Sequence, residues 1–292
     1  MPSILLLWAA LLPGTAAAQV TFLNDECPKG TTQTGKLPPD ELSQGCTTPA
    51  GQRHGPWTDY WPNGAKWRVG EYKNGKHSGH WTAFRPNGKK FYEVDYKNGF
   101  LHGKIVVYYE NEQKRIEGAY TFGKANGRWL AYTDTGSEVG QLLFDNGNVR
   151  PGSKGNPKVA EYMPKRLEVH TLRTAIDKAP VMREVGKTLV SEGRSPAPGR
   201  LKGEQLQHYA AQSKLFIRAG QQLKLYAAAV DVLATDAQSP IQVGVGDEAE
   251  LLVGTLVSML GETKRTVEGF KSTSGPSSLR QHSARSALKK LD

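Results

Sequence analysis

Apolar residues alternate with polar ones over short stretches in the first half of the chain and return every three to four positions in the second. Residues 56–61 read Pro-Trp-Thr-Asp-Tyr-Trp. A strand there puts Trp57, Asp59 and Trp61 on one side and Thr58 and Tyr60 on the other, because successive side chains point to opposite faces. Asn63-Gly64 follows and reads as a tight type I′ turn; a second strand then runs to Tyr72, where Asn74-Gly75 turns the chain again. From about residue 158 the period lengthens. Residues 167–193 predict one or two short helices interrupted near Pro180. Leu206, Tyr209, Phe216, Leu223, Val230 and Leu233 form the stripe of a long helix over roughly 202–236. Asp247 with Glu250 is a capping-box-like start, and Leu252, Leu256, Met259 or Leu260, Val267 and Phe270 carry that helix to about 272. A last helix is expected over Ser277 to Leu291.

The strand pattern repeats. Gly55, Gly79, Gly103 and Gly127 are spaced by 24 without an insertion, and Trp57, Trp81, Ile105 and Trp129 follow in the same register. Tyr60, Phe84, Tyr108 and Tyr132 come next, then Gly64, Gly88, Glu112 and Gly136 at a turn position. Tyr72, Tyr96, Tyr120 and Phe144 follow, and Gly75, Gly99, Gly123 and Gly147 close each unit. A lone hairpin is marginal in water, so neighbouring hairpins must share their aromatic faces. The pattern Gly-x-Trp-x-x-Tyr-x-x-x-Gly followed by Tyr-x-x-Gly resembles the MORN repeat in its bacterial variant, which is often catalogued with an antitoxin family. The resemblance covers residues 51–150. It implies that the matching aromatics and glycines are structural rather than catalytic. Ile105 and Glu112 depart from it in the third unit, Thr135-Gly136 in the fourth, and the pattern stops at Arg150-Pro151.

The start of the chain adds a compartment. An apolar run from Ile4 to Leu12, then Pro-Gly and Ala16-Ala17-Ala18, reads as a secretory signal over residues 1–18. Nine apolar residues are too few to span a bilayer, which takes roughly 20. Cys27 and Cys46 are the only cysteines. In an exported protein such a pair is most simply one disulfide, stabilising by about 3 kcal/mol. It would tie residues 19–50 into a cap over the first strand edge, which would otherwise invite pairing. Residues 151–157 read as a linker and 158–292 as a helical domain.

The net charge of +10 is spread thinly: −2 over residues 1–50, +5 over 51–150 and +7 over 151–292. No Lys/Arg run marks a nucleic-acid site; the spread suits loose contact with an anionic lipid or glycan surface, or a plain solvated exterior. Candidate chemistry is thin. His77 and His80 have H-x-x-H spacing but fall between hairpins, and His54 and His102 lie two repeats apart. Glu93 and Asp95 share a strand face, with Lys66, Lys90 and Lys97 nearby to balance them; Asp59 and Glu71 also lie on the array. No nucleophile elbow or phosphate loop is present, and no cofactor or metal site is expected. Trp57, Trp81 and Trp129 recur with the repeat and serve packing. Trp61 and Trp67 do not: later copies have Arg85, Tyr109 and Thr133, or Phe91, Arg115 and Val139. The candidate binding surface is therefore Trp61, Trp67, Arg85 and Lys89.

The expected fold is α+β, an elongated antiparallel β-hairpin array of four MORN-like units followed by a C-terminal helical bundle. The expected function is that of an exported, periplasmic or secreted, non-catalytic binding or scaffolding protein with a protein partner in the envelope or outside the cell. It is not expected to be an integral membrane protein. The alternatives are an antitoxin-like or immunity protein, an envelope or glycan-binding module, and an enzyme with its site in the helical half.

Overall fold

Strand-like alternation over residues 32–149 becomes one continuous antiparallel meander. In a computed structural model of the chain, residues 27–38, 41–150, 155–164, 169–237, 245–269 and 276–291 are described; the expected signal segment lies outside them. The sheet orders its strands as the chain does: β1 (Thr32–Lys36), β2 (Ser43–Thr47), β3 (Arg53–Tyr60), β4 (Lys66–Lys73), β5 (Lys76–Phe84), β6 (Lys90–Lys97), β7 (Phe100–Tyr108), β8 (Lys114–Thr121), β9 (Lys124–Tyr132), β10 (Glu138–Asp145) and β11 (Asn148–Val149). Every neighbouring pair is antiparallel. The β1–β2 hairpin extends the sheet beyond β3, and a disulfide joins Cys46 on β2 to Cys27, with Cα atoms 5.6 Å apart.

The two ends of the sheet use different turns. At 73–76, 97–100, 121–124 and 145–148 both central residues have positive φ: Asn74 and Gly75, Asn98 and Gly99, Phe122 and Gly123, Asn146 and Gly147. That is the I′ requirement. At the other end the expected I′ turn at Asn63-Gly64 is a different turn. Only Gly64 has positive φ, its N–H donates to Trp61 O at 2.8 Å, and Trp61 N–H donates to Ala65 O. Asn63 acts through its side chain instead, accepting from Ala65 N–H and donating to Pro86 O in the next turn. The same design recurs at Asn87 and Asn111. Glu112 takes the left-handed position, φ 66°, that Gly64, Gly88 and Gly136 hold elsewhere. A side chain there costs about 1 kcal/mol. Glu112→Gly is therefore expected to raise the thermal midpoint by about 3 °C, measurable by calorimetry; an unchanged or lower midpoint would contradict the strain argument.

One face of the sheet is packed by a rule that pairs residues on adjacent strands. The ring of Trp57 lies where a side chain on Gly45 would stand, Trp81 covers Gly70, and Trp129 covers Gly118; a Cβ on these glycines would meet the indole at 2.3, 2.2 and 2.2 Å. At the corresponding place in the third hairpin, Ile105 pairs directly with Val94. One large residue beside none has been exchanged for two of middle size. The departure of Ile105 from the repeat is thus compensated by Val94, and both residues are buried.

Of the expected linker, residues 151–157, positions 151–154 lie outside the described residues, and the chain from 155 onward runs against the sheet. Asn156 donates from its backbone to Gln141 O and from Nδ2 to Val139 O, both at 2.9 Å. A 3-10 turn, Pro157–Tyr162, then buries Val159 against the sheet. Among the described residues four helices follow: α1 (Val169–Arg194), α2 (Gly203–Ala237), α3 (Val245–Gly269) and α4 (Pro276–Leu288). The long helix and the last two fall within a few residues of expectation. The expected break at Pro180 is absent, because α1 runs through it. A proline leaves the carbonyl four residues back unbonded, here that of Ile176, whose residue is exposed. Ala175, Ala179, Met182, Val185 and Leu189 are buried on the other side and hold the helix against its neighbours. Gly186 and Gly220 let α1 and α2 touch backbone to backbone; a Cβ on Gly220 would stand 2.4 Å from Gly186 O.

Candidate binding surface

Trp61 and Trp67 occupy recurring places after all. Trp67, Phe91, Arg115 and Val139 are the extra residues of the β-bulges that close each first strand, one per hairpin. Bulges re-aim the side chain they carry. Trp61, Arg85, Tyr109 and Thr133 open the facing turns. The first three of these turn residues reach the next hairpin in the same way: Trp61 Nε1 donates to Phe84 O at 2.8 Å, Arg85 Nη2 to Tyr108 O at 3.0 Å, and Tyr109 Oη to Tyr132 O at 2.8 Å. The turn and bulge residues also stack. Trp61 and Trp67 lie nearly parallel at 4.2 Å, and the Arg85 guanidinium sits 4.1 Å over the Phe91 ring. Lys89 is exposed and donates to Glu110 O at 2.9 Å.

Neither tryptophan faces solvent. Trp61 is 2 % exposed and Trp67 fully buried, and both belong, with Leu42, to the apolar core built by the helices. Tyr92 on β6 donates to Glu248 Oε1 of α3 at 3.0 Å inside the protein. Burial and the neighbouring carboxylate push the Tyr92 hydroxyl well above its ordinary range. Of the four residues expected to bind, two thus hold the chain's own helices on the sheet. Arg85 and Lys89 tie one hairpin to the next.

The same covered face carries a polar chain among its rings. Asp59 is buried, accepts from Trp57 Nε1 and Ser43 Oγ, and lies 3.3 Å from Arg68. Arg53 stacks over Trp57 and donates to Tyr72 Oη, which is 3.1 Å from His77 Nε2. His77 is wedged among Tyr72, Trp81 and Tyr96. Burial, reinforced by Arg68 and Arg53 and opposed by Asp59, lowers its pKa to about 3, so it is neutral at physiological pH. His80 lies exposed and 2.8 Å from Asp95. The H-x-x-H pair is divided between the interior and the surface.

The opposite face is the open one. Glu93 accepts from Lys90 Nζ and from Tyr108 Oη, and 24 residues on Glu117 accepts from Lys114 Nζ and Tyr132 Oη. Partial burial tends to raise both carboxyls, but these donors win and hold them below the ordinary range. Burial and the carboxylate partners drive the Tyr108 hydroxyl up and Tyr132 up to about 12. Glu93 and Asp95 share this face, as the alternation requires, but each has its own cationic or imidazole partner. The Lys-x-x-Glu spacing with a Tyr 15 positions later is visible in the sequence at both places; bulges opposite the steps Val107–Tyr108 and Ala131–Tyr132 turn those hydroxyls toward the glutamates.

No protein-family model matches the chain, and no curated protein matches it. Among the described residues no helix is long and apolar enough to cross a membrane.

Proposed function

We propose that this is an exported, non-catalytic protein that binds or scaffolds a protein partner through a four-unit MORN-like hairpin array, with a helical bundle docked on one face. The observation that carries the reading is the division of labour between the faces. Trp61 and Trp67 serve the chain's own helices. The other face presents charged and hydroxyl groups at a 24-residue repeat. Extended periodic surfaces of this kind suit a partner contacted at several repeats. The secretory-type N-terminus and the disulfide support an oxidising compartment.

A photo-crosslinking residue at Thr82 or Leu130, on the open face, is expected to capture a protein from the envelope fraction. The same residue at Val257, exposed on α3, is expected to capture none. Charge reversal by Lys104→Glu with Arg128→Glu should abolish the open-face product. Capture only at Val257, or retention on insoluble glycan with no protein product, would remove this reading.

A further inference from the structure

One end of the sheet makes the same two-residue turn four times, so each turn is a control for the others. Three place Asn in the first left-handed position, at Asn74, Asn98 and Asn146; the fourth places Phe122 there, at φ +46°. Asn tolerates this conformation because its short polar side chain bonds locally, whereas for a ring residue it is an outlier. The fold accepts Asn at this point three times, so the turn itself requires no aromatic. Burial does not explain the ring either, since Phe122 is 54 % exposed. Strain retained without a folding benefit marks a functional position.

The neighbours of Phe122 define what it fits. Phe100, 39 % exposed, stands 6.4 Å away with its ring tilted by 72°, and the His102 ring lies 4.6 Å from that of Phe122. At positions equivalent to Phe100 the flanking turns carry Lys76 and Lys124. Lys76, Lys97 and Lys124 are exposed around the ring pair, with no carboxylate paired to them among the described residues. Two crossed rings make a protruding knob rather than the flat platform on which a sugar stacks.

We infer that Phe122, assisted by Phe100, is an anchor for a protein partner, entering an apolar socket whose rim carries Asp or Glu side chains opposite Lys76, Lys97 and Lys124. Buried aromatic anchors with a charged rim are the arrangement that concentrates binding energy. This site is on the hairpin tips and does not depend on the open face.

The test places a photoreactive phenylalanine, in the full chain, at position 122 and separately at 74 and 146, and exposes each to the envelope fraction. The expected product forms at 122 and not at 74 or 146, and its crosslinked peptide is flanked by Asp or Glu. Lys97→Glu with Lys124→Glu should lower its yield about tenfold. Phe122→Asn should raise the thermal midpoint while losing the partner, the reverse of what a structural role predicts. Equal yields at the three positions, no product, or a product that is lipid, glycan or a second copy of this chain would overturn the proposal. So would a lower midpoint in Phe122→Asn. Crosslinks from Thr82 and Leu130 report on the open face separately.

Discussion

Gly118→Val is expected to destabilise the protein by about 3 kcal/mol, and Trp129→Ile is expected to cost far less in that background than it does alone. A Cβ on Gly118 would lie 2.2 Å from Cδ2 of the Trp129 indole, which is fully buried. The ring cannot step aside, because Tyr120 and Phe144 pack edge-on against it at 5.1 and 5.9 Å. Gly118 has no positive φ, so its need for glycine is a matter of space alone. Trp129→Ile by itself removes a large buried ring and should cost about 3 kcal/mol. Together the two changes recreate Val94 beside Ile105, which the protein already packs one hairpin earlier. The double variant should be more stable than the sum of the singles by about 2 kcal/mol. Urea unfolding of the four proteins measures this directly; strictly additive losses would show that Val94 and Ile105 are unrelated substitutions.

Acid is expected to weaken the native state through His77 before it acts through Glu93 and Glu117. The folded pKa of about 3 lies below the unfolded value of 6.5. The unfolded chain therefore binds the extra proton between those values. Stability is fully present above pH 6.5 and declines as pH falls toward 3, by up to about 1.4 kcal/mol per pH unit. Glu93 and Glu117 are also depressed, but from 4.5, so their contribution is lost only below that. Between pH 6.5 and 4.5 the wild type should thus lose about 2 kcal/mol of unfolding free energy. His77→Leu, which installs the residue found 24 positions on at Leu101, should lose far less over the same interval. A parallel pH dependence in both proteins would mean that His77 is not the group responsible.

The sequence was informative where local geometry decides the outcome. Asn74-Gly75 and Asn98-Gly99 predict their turns because no other pair takes two left-handed positions so readily. The stripe from Leu206 to Leu233 predicts a helix because each residue returns to one face, and every member of it is buried except the exposed Leu206 at its start. Pro180 misled because proline's local cost is small beside five buried residues on the same helix. Asn63-Gly64 misled because two turns share one dipeptide, and the choice lies with the bulge at Trp67.

The candidate site divides in the same way. Its residues, Trp61 and Trp67, stood out in sequence because the repeat does not demand them. That singularity was real, but its direction was not legible. Whether an unexpected aromatic meets a ligand or the rest of its own chain depends on contacts more than a hundred residues apart, such as Tyr92 with Glu248. By itself the sequence determined the hairpins, their 24-residue register, the helices and the cysteine pair, all written in spacing and turn chemistry. Only the tertiary structure decided which face of the sheet the helices cover, since alternation makes two faces and burial of a second layer selects one.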